Sequence, residues 1–150
     1  MFAIASDHGG VALKRVVKEH LESRGLAVTD LGTDGDVSVD YPDFGEKLAS
    51  KISQGEYGEG ILICGTGIGM SIVANKFPRV RAALVTDPYM AQMAREHNNA
   101  NILVLGGRVV DAQKAIAMVS AWLDAKFEGD RHQRRLDKIR EIEKRTNEFE

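Results

Sequence analysis

GILICGTGIGMS, residues 60–71, carries the pattern that decides the fold. Gly60-Ile61-Leu62-Ile63 is a short apolar run that ends in Cys64, the only cysteine of the chain, and glycines then alternate with other residues at 65, 67 and 69. An apolar run of this length, bounded by glycine, reads as a strand buried on both faces. A helix is predicted to start inside the glycine loop and to run to about Phe77. Without β-carbons at alternate positions, the amides of GTGIG (65–69) can turn toward a ligand oxygen as an anion-binding nest, although a tight strand-to-helix turn needs the same residues. Cys64 likewise admits two readings. It is a small buried apolar residue, or it is a thiol at a strand end before a helix N-terminus, where free amides favour the thiolate.

The same strand-then-helix unit recurs on either side. FAIAS (2–6) reads as a strand, and Leu13, Val16, Val17 and Leu21 then share one helical stripe that Gly25 closes. LAVTDL (26–31) is a second strand, followed by a turn-rich loop and a helix with Phe44, Leu48 and Ile52 on one face, stopped near Gly55. VRAALVT (80–86) and NILVLG (101–106) are further strands. Asp87-Pro88 places an N-cap before a proline at the first helical position. DAQKAIAMVSAWLDAKF (111–127) is the next helix, and a charged helix over 130–149 carries Leu136, Ile139 and Ile142 as a thin apolar seam. Continuously apolar strands separated by helices argue for a three-layer α/β/α sandwich around a five-stranded parallel, Rossmann-like sheet, with an extra C-terminal helix. The 150 residues are read as one domain.

Hydrophobic residues make up 43% of the chain and charged residues 28%, and the net charge is −2. No global field therefore draws the protein to nucleic acid or to an anionic membrane, and neither is expected as a partner. One cysteine offers no disulfide framework and fits a reducing cytoplasm. No apolar run approaches the roughly 20 residues that span a bilayer.

Ligands of such sheets bind outside the carboxyl ends of the strands. Those ends carry Ser6-Asp7-His8, Cys64-Gly65-Thr66, Thr86-Asp87 and Gly106-Gly107-Arg108. A dinucleotide fingerprint would need glycine where Met70 stands, and no Walker lysine follows the loop. Asp7-His8 reads equally as a helix cap with a surface imidazole. His97-Asn98 follows a helix, and Tyr41-Pro42 starts one. Arg131 and Arg135, spaced i, i+4, share a helix face; they form a solvated basic face or a phosphate clamp, since guanidinium forks match phosphate oxygens. The histidines are scattered along the chain and show no metal-ligand spacing, so no metal is expected.

Five segments, SDHGG (6–10), DYPDF (40–44), GILICGTGIGMSIVANK (60–76), REHNNANILVLGGRVV (95–110) and GDRHQRR (129–135), together resemble the sugar-phosphate isomerase family of ribose-5-phosphate isomerase B and the galactose-6-phosphate isomerase subunits. The resemblance spans nearly the whole chain. It implies a cofactor-free interconversion of an aldose phosphate and a ketose phosphate, ribose 5-phosphate and ribulose 5-phosphate first, through a cis-enediolate. Relatives that use a glutamate carry it two residues after the GTG triplet. Ile68, Gly69 and Met70 offer no carboxylate here, so Cys64 is implied as the general base. By the same resemblance Thr66 and the amides of Gly65, Gly67, Gly69, Met70 and Ser71 receive the growing negative charge. His97 opens the sugar ring. Asp7, Tyr41 and Asn98 line the sugar, and His8, Arg108, Arg131 and Arg135 hold the phosphate. Family members are dimers or dimers of dimers with shared sites, so the 130–149 helix is expected to dock on a partner subunit. Allose 6-phosphate or galactose 6-phosphate as substrate, and a nucleotide-binding module without chemistry, are the competing expectations.

Overall fold

A computed structural model describes residues 1–147. Five strands, β1 (Phe2–Ser6), β2 (Val28–Asp30), β3 (Glu59–Cys64), β4 (Ala82–Leu84) and β5 (Ile102–Gly106), form one sheet in the order β2-β1-β3-β5-β4. Every pairing is parallel. The helices are α1 (Val11–Ser23), α2 (Tyr41–Ser53), α3 (Ile68–Ala74), α4 (Pro88–Glu96), α5 (Ala112–Asp124) and α6 (Arg131–Asn147). A single 3-10 turn, His8–Gly10, joins β1 to α1. The expected helix end at 148–149 lies outside the described residues.

Strand pleating divides the core between two faces. Phe2, Ile4, Ile61, Ile63, Leu103 and Leu105 meet α1, α4 and α5 on one side, around the fully buried Trp122. Ala3, Ala5, Leu62, Cys64, Ile102 and Val104 meet α2 and α3 on the other, against Leu48, Ile52 and Met70. Small side chains on β1 let α2 approach closely, whereas the opposite face takes the larger residues.

Local signals act where the sequence carries them. Gly25 (φ 81°) and Gly55 (φ 83°) adopt the left-handed conformation just past α1 and α2. The Asp87 carboxylate accepts a hydrogen bond from the Met90 amide and caps α4 ahead of Pro88. The α5 helix ends at Asp124, short of the predicted Phe127, because Ala125 turns extended. Three further elements are shorter than predicted, for identifiable reasons. The α3 helix stops at Ala74 because the Asn75 side chain bridges to β4, donating to the Ala82 carbonyl (3.0 Å) and accepting from the Ala82 amide (2.9 Å). β4 starts late because the Arg81 amide donates to the Asn101 side chain, not to a strand carbonyl. β2 is an edge strand of three residues, although Leu31 still donates to the Ile4 carbonyl.

Lys14 projects from α1 to the end of β2 and is 1% exposed. Its ammonium donates to Asp30 (2.8 Å), to Asp34 (3.0 Å) and to the Thr33 carbonyl, so all three protons are used and the loop after β2 is tied to α1. Hydrogen bonding from Lys14 holds the Asp34 carboxyl below the usual carboxylate range. Among the described residues no helix is long and apolar enough to cross a membrane.

The sheet order reverses between β1 and β3, which places a ligand crevice at the carboxyl ends of those strands. The turn from β1 into α1 lies hard against β3 there. A β-carbon on Gly10 would stand 2.7 Å from the Ile63 side chain and 2.9 Å from its carbonyl oxygen. Gly10→Ala is expected to destabilise the fold by roughly 1–3 kcal/mol and to lower Tm in thermal denaturation. An unchanged Tm would contradict this close contact.

Candidate active site

Cys64 ends β3 with its side chain toward α2 and α3 and is 5% exposed. Its sulfur accepts a hydrogen bond from the Gly67 amide at 3.2 Å, so the turn is closed by a donor aimed at Sγ. Gly67 has φ 83°, and a β-carbon there would lie 2.6 Å from Leu84 and 3.1 Å from the Leu105 backbone, so only glycine fits. Thr66 is exposed at the rim, and its Oγ1 accepts from the Ile68 amide (3.3 Å). Gly69 and Met70 hold the second and third positions of α3, where amides lack an intrahelical acceptor. The Met70 side chain is fully buried against Gly45, so this residue faces the crevice through its backbone alone. Ser71 is committed to α3: its amide donates to the Gly67 carbonyl and its hydroxyl to the Ile68 carbonyl.

Other groups close around this loop. The Asp7 carboxylate accepts from the Gly9 amide (2.9 Å) and caps the 3-10 turn. The Arg108 side chain lies across Gly9 and Gly65; β-carbons at those glycines would stand 3.2 and 2.9 Å from its guanidinium nitrogens. Backbone bonds fix the approach, with Gly107 donating to the Cys64 carbonyl (2.7 Å) and Arg108 to the Gly65 carbonyl (2.9 Å). Among the described residues no carboxylate pairs with Arg108. The Tyr41 ring, at the first position of α2, covers Gly69, whose β-carbon would meet it at 2.5 Å. His8 sits beside these groups with Nδ1 accepting from the Val39 amide at 3.1 Å.

His97, Asn98, Arg131 and Arg135 are elsewhere. The α4 helix runs back against the strand direction, so His97, its C-cap, and Asn98 lie at the amino ends of the strands. Cys64 pairs with Gly106 and Gly60 with Ile102, so the two groups are separated by the length of β5, about 13 Å for four residue steps. One chain therefore does not bring His97 to Cys64. A second cluster forms instead. The His97 and His132 rings stack at 4.1 Å with planes 12° apart. Glu128 Oε1 lies 3.6 Å from His97 Nε2 and 3.5 Å from His132 Nε2. His132 is 4% exposed, and its Nε2 has no hydrogen-bond partner among the described residues. Burial pushes the His132 imidazolium below its ordinary range, helped by nearby His97 and Arg131, with Glu128 opposing. Arg131 and Arg135 stand exposed on the first turns of α6, on either side of His132. Two histidines that are distant in sequence thus meet with a carboxylate. Because the imidazole planes are nearly parallel, one ion cannot lie in both ring planes, so this geometry does not suit a metal.

A family model for ribose/galactose isomerases matches residues 2–139. The chain belongs to that family. Ribose-5-phosphate isomerase B of Escherichia coli is 46% identical over 145 residues, covering 97% of each chain. Among solved structures, the ribose-5-phosphate isomerase B of Clostridium thermocellum is 55% identical with a TM-score of 0.94, over 97% of this chain and 98% of that one. The Mycoplasma genitalium enzyme, solved with bound ribulose 5-phosphate, is 47% identical with a TM-score of 0.92, over 95% of both chains. A Pectobacterium atrosepticum D-erythrulose-4-phosphate isomerase is 45% identical over 139 residues, 91% of each chain.

Glu128, His132 as a buried partner of His97, and the Val39 amide were not singled out from the sequence. Glu128 sits in a linker without periodicity, and the bond to His8 belongs to a backbone atom. His132 alone had a signal, its place between two clamp arginines. Its depressed titration has a consequence for stability. Below about pH 6.5 the unfolded chain takes up a proton that buried His132 does not, so this contribution is full above that pH and falls away as pH drops. The fall in Tm between about pH 7.5 and about pH 5.5 should accordingly be smaller in His132→Asn than in the native protein. Equal falls would show that His132 is not the group responsible.

Proposed function

We propose that this protein interconverts ribose 5-phosphate and ribulose 5-phosphate, with Cys64 as the general base. The observation that carries this reading is the crevice itself. A thiol with an amide aimed at its sulfur stands beside an arginine that pairs with no carboxylate among the described residues, at the sheet's switch point, in a chain 47% identical to an isomerase solved with ribulose 5-phosphate. In the aldose-to-ketose direction the Cys64 thiolate takes the C2 proton, and the electron pair moves to the C1 carbonyl oxygen to give the enediolate. The proton carried by Cys64 is then returned to C1 while the C2 hydroxyl proton passes to the C1 oxygen, so the C2 oxygen becomes the carbonyl and the C1 oxygen a hydroxyl. One carbon is oxidised as its neighbour is reduced, so no cofactor is required.

Charge grows on the carbonyl oxygen, and preorganised donors do most for it there. The Thr66 hydroxyl and the amides of Gly65, Gly69 and Met70 are the candidates, with Gly67 serving the sulfur. Ser71 supports the loop from inside α3. Asp7 and Tyr41 bound the space for sugar hydroxyls. His8 and Arg108 receive the phosphate, whose binding energy fixes the reacting carbons near Cys64. A reducing cytoplasm suits both the free thiol and a phosphorylated metabolite.

In this reading His97, as the acid and base that opens the furanose, comes from a second copy, together with Asn98, Arg131 and Arg135. We read the active unit as a homodimer, or a pair of dimers, in which the crevice of one subunit meets the histidine corner of the other. The separation along β5 supports this reading, as do the half-exposed Ile139 and Ile142 on α6.

A panel of aldose phosphates of four to six carbons, assayed for ketose formation, should give the highest kcat/KM with ribose 5-phosphate, and Cys64→Ala should lower kcat by about 10²–10⁴-fold. Activity within a few-fold of native would remove Cys64 as the base. Mixing Cys64→Ala with His97→Gln under subunit exchange should restore about a quarter of native activity, because half of the dimers are mixed and each carries one intact site. Absence of recovery despite proven exchange would mean that each site belongs to one chain.

A further inference from the structure

His8 is held by an unusually constraining partner. A backbone N–H can only donate, so the Val39 amide, 3.1 Å from His8 Nδ1, requires a lone pair on that nitrogen. A neutral imidazole carries one proton, which must then be on Nε2. The loop that supplies Val39 is fixed at both ends. Lys14 holds Thr33 and Asp34 at its start, and α2 begins two residues after Val39 with the Asp43 amide donating to the Asp40 carbonyl. Val37, within the span, is 79% exposed, so apolar burial there does not hold the loop, whereas Val39 itself is half-buried.

We infer that Val39 is a positioning residue, whose amide locks His8 as an Nε2–H donor with its ring plane set toward the phosphate of the substrate. This rests on the reading of His8 as a phosphate ligand. A fully ionised phosphate ester offers only acceptor oxygens, so an Nε2–H matches it and an Nε2 lone pair repels it. Arg108 supplies charge beside His8, and His8 adds one directed hydrogen bond. Without the Val39 amide the ring turns and exchanges tautomers, and each binding event must order it again. The 34–39 loop is thereby part of the phosphate site although none of its side chains needs to reach the ligand.

The tautomer is read directly by ¹⁵N-histidine NMR of the whole protein, with the His8 signals identified by their loss in His8→Gln. The expected spectrum has an unprotonated Nδ1 and a protonated Nε2 for His8, both without and with inorganic phosphate. A protonated Nδ1, or averaged shifts from exchanging tautomers, overturns the inference. In kinetics, Val39→Pro removes the amide proton and should raise KM for ribose 5-phosphate about 3–10-fold with kcat within about twofold, and by more than Val39→Ala, which keeps the amide. In a His8→Gln background Val39→Pro should add nothing; a further loss there means that the proline disturbs the loop generally, and overturns the assignment. Unchanged KM in Val39→Pro while His8→Gln raises it refutes the lock alone. Unchanged KM in both refutes the phosphate reading beneath it. Should Val39→Pro fail to fold, the NMR spectrum of the native protein still decides.

Discussion

Backbone crowding at the carboxyl edge of the sheet is the constraint on which the crevice depends. The segment after β5 is hydrogen-bonded to the segment after β3, through Gly107 to the Cys64 carbonyl and Arg108 to the Gly65 carbonyl. A β-carbon on Gly106 would stand 2.7 Å from the Thr66 carbonyl oxygen, and one on Gly107 would stand 2.7 Å from that of Gly9. At Gly106 and Gly107 three loops therefore meet backbone to backbone. That contact sets the 64–67 turn, brings the Gly67 amide to Sγ, and lays Arg108 over Gly9 and Gly65. Larger residues at these points would push the loops apart and lose the amide, the guanidinium and the sulfur together.

Charge is distributed to suit this arrangement. The net charge of −2 gives the molecule no general attraction for an anion. Lys14 is buried and fully spent on Asp30, Asp34 and Thr33, so its role is to hold a loop. Arg108 lies in the crevice and forms no ion pair among the described residues, and Arg131 and Arg135 stand exposed at the start of α6. The cation spent on structure and these unpaired arginines are thus physically separate among the described residues. The second corner follows a different logic. There burial disfavours the charged form of His132, and its ring stacks on that of His97.

Much of the fold was legible because its signals are local. Gly25, Gly55 and Asp87-Pro88 act within one turn of the chain, and β1, β3 and β5 are apolar on both faces, so their patterns survive any tertiary context. Elements set by distant partners were read less well. Helix α3 ends early because Asn75 finds Ala82, and β4 begins late because Asn101 takes the Arg81 amide. The crevice residues were legible as strand ends, which the parallel topology gathers by rule. Met70 and Ser71 were legible as part of the loop, but not that one side chain belongs to the core and the other to the helix.

By itself, then, the sequence determined the alternation of strands and helices, the parallel sheet, and the grouping of Asp7, His8, Cys64, Thr66 and Arg108 at one edge, because periodicity and turn chemistry are properties of neighbours in the chain. Only the tertiary structure decided that Gly67 donates to the Cys64 sulfur, that Val39 holds His8, that His132 and Glu128 join His97, and that His97 stands a strand's length from Cys64. Those facts depend on where loops cross and which way α4 runs, and distances between segments remote in sequence exist only once the chain has folded.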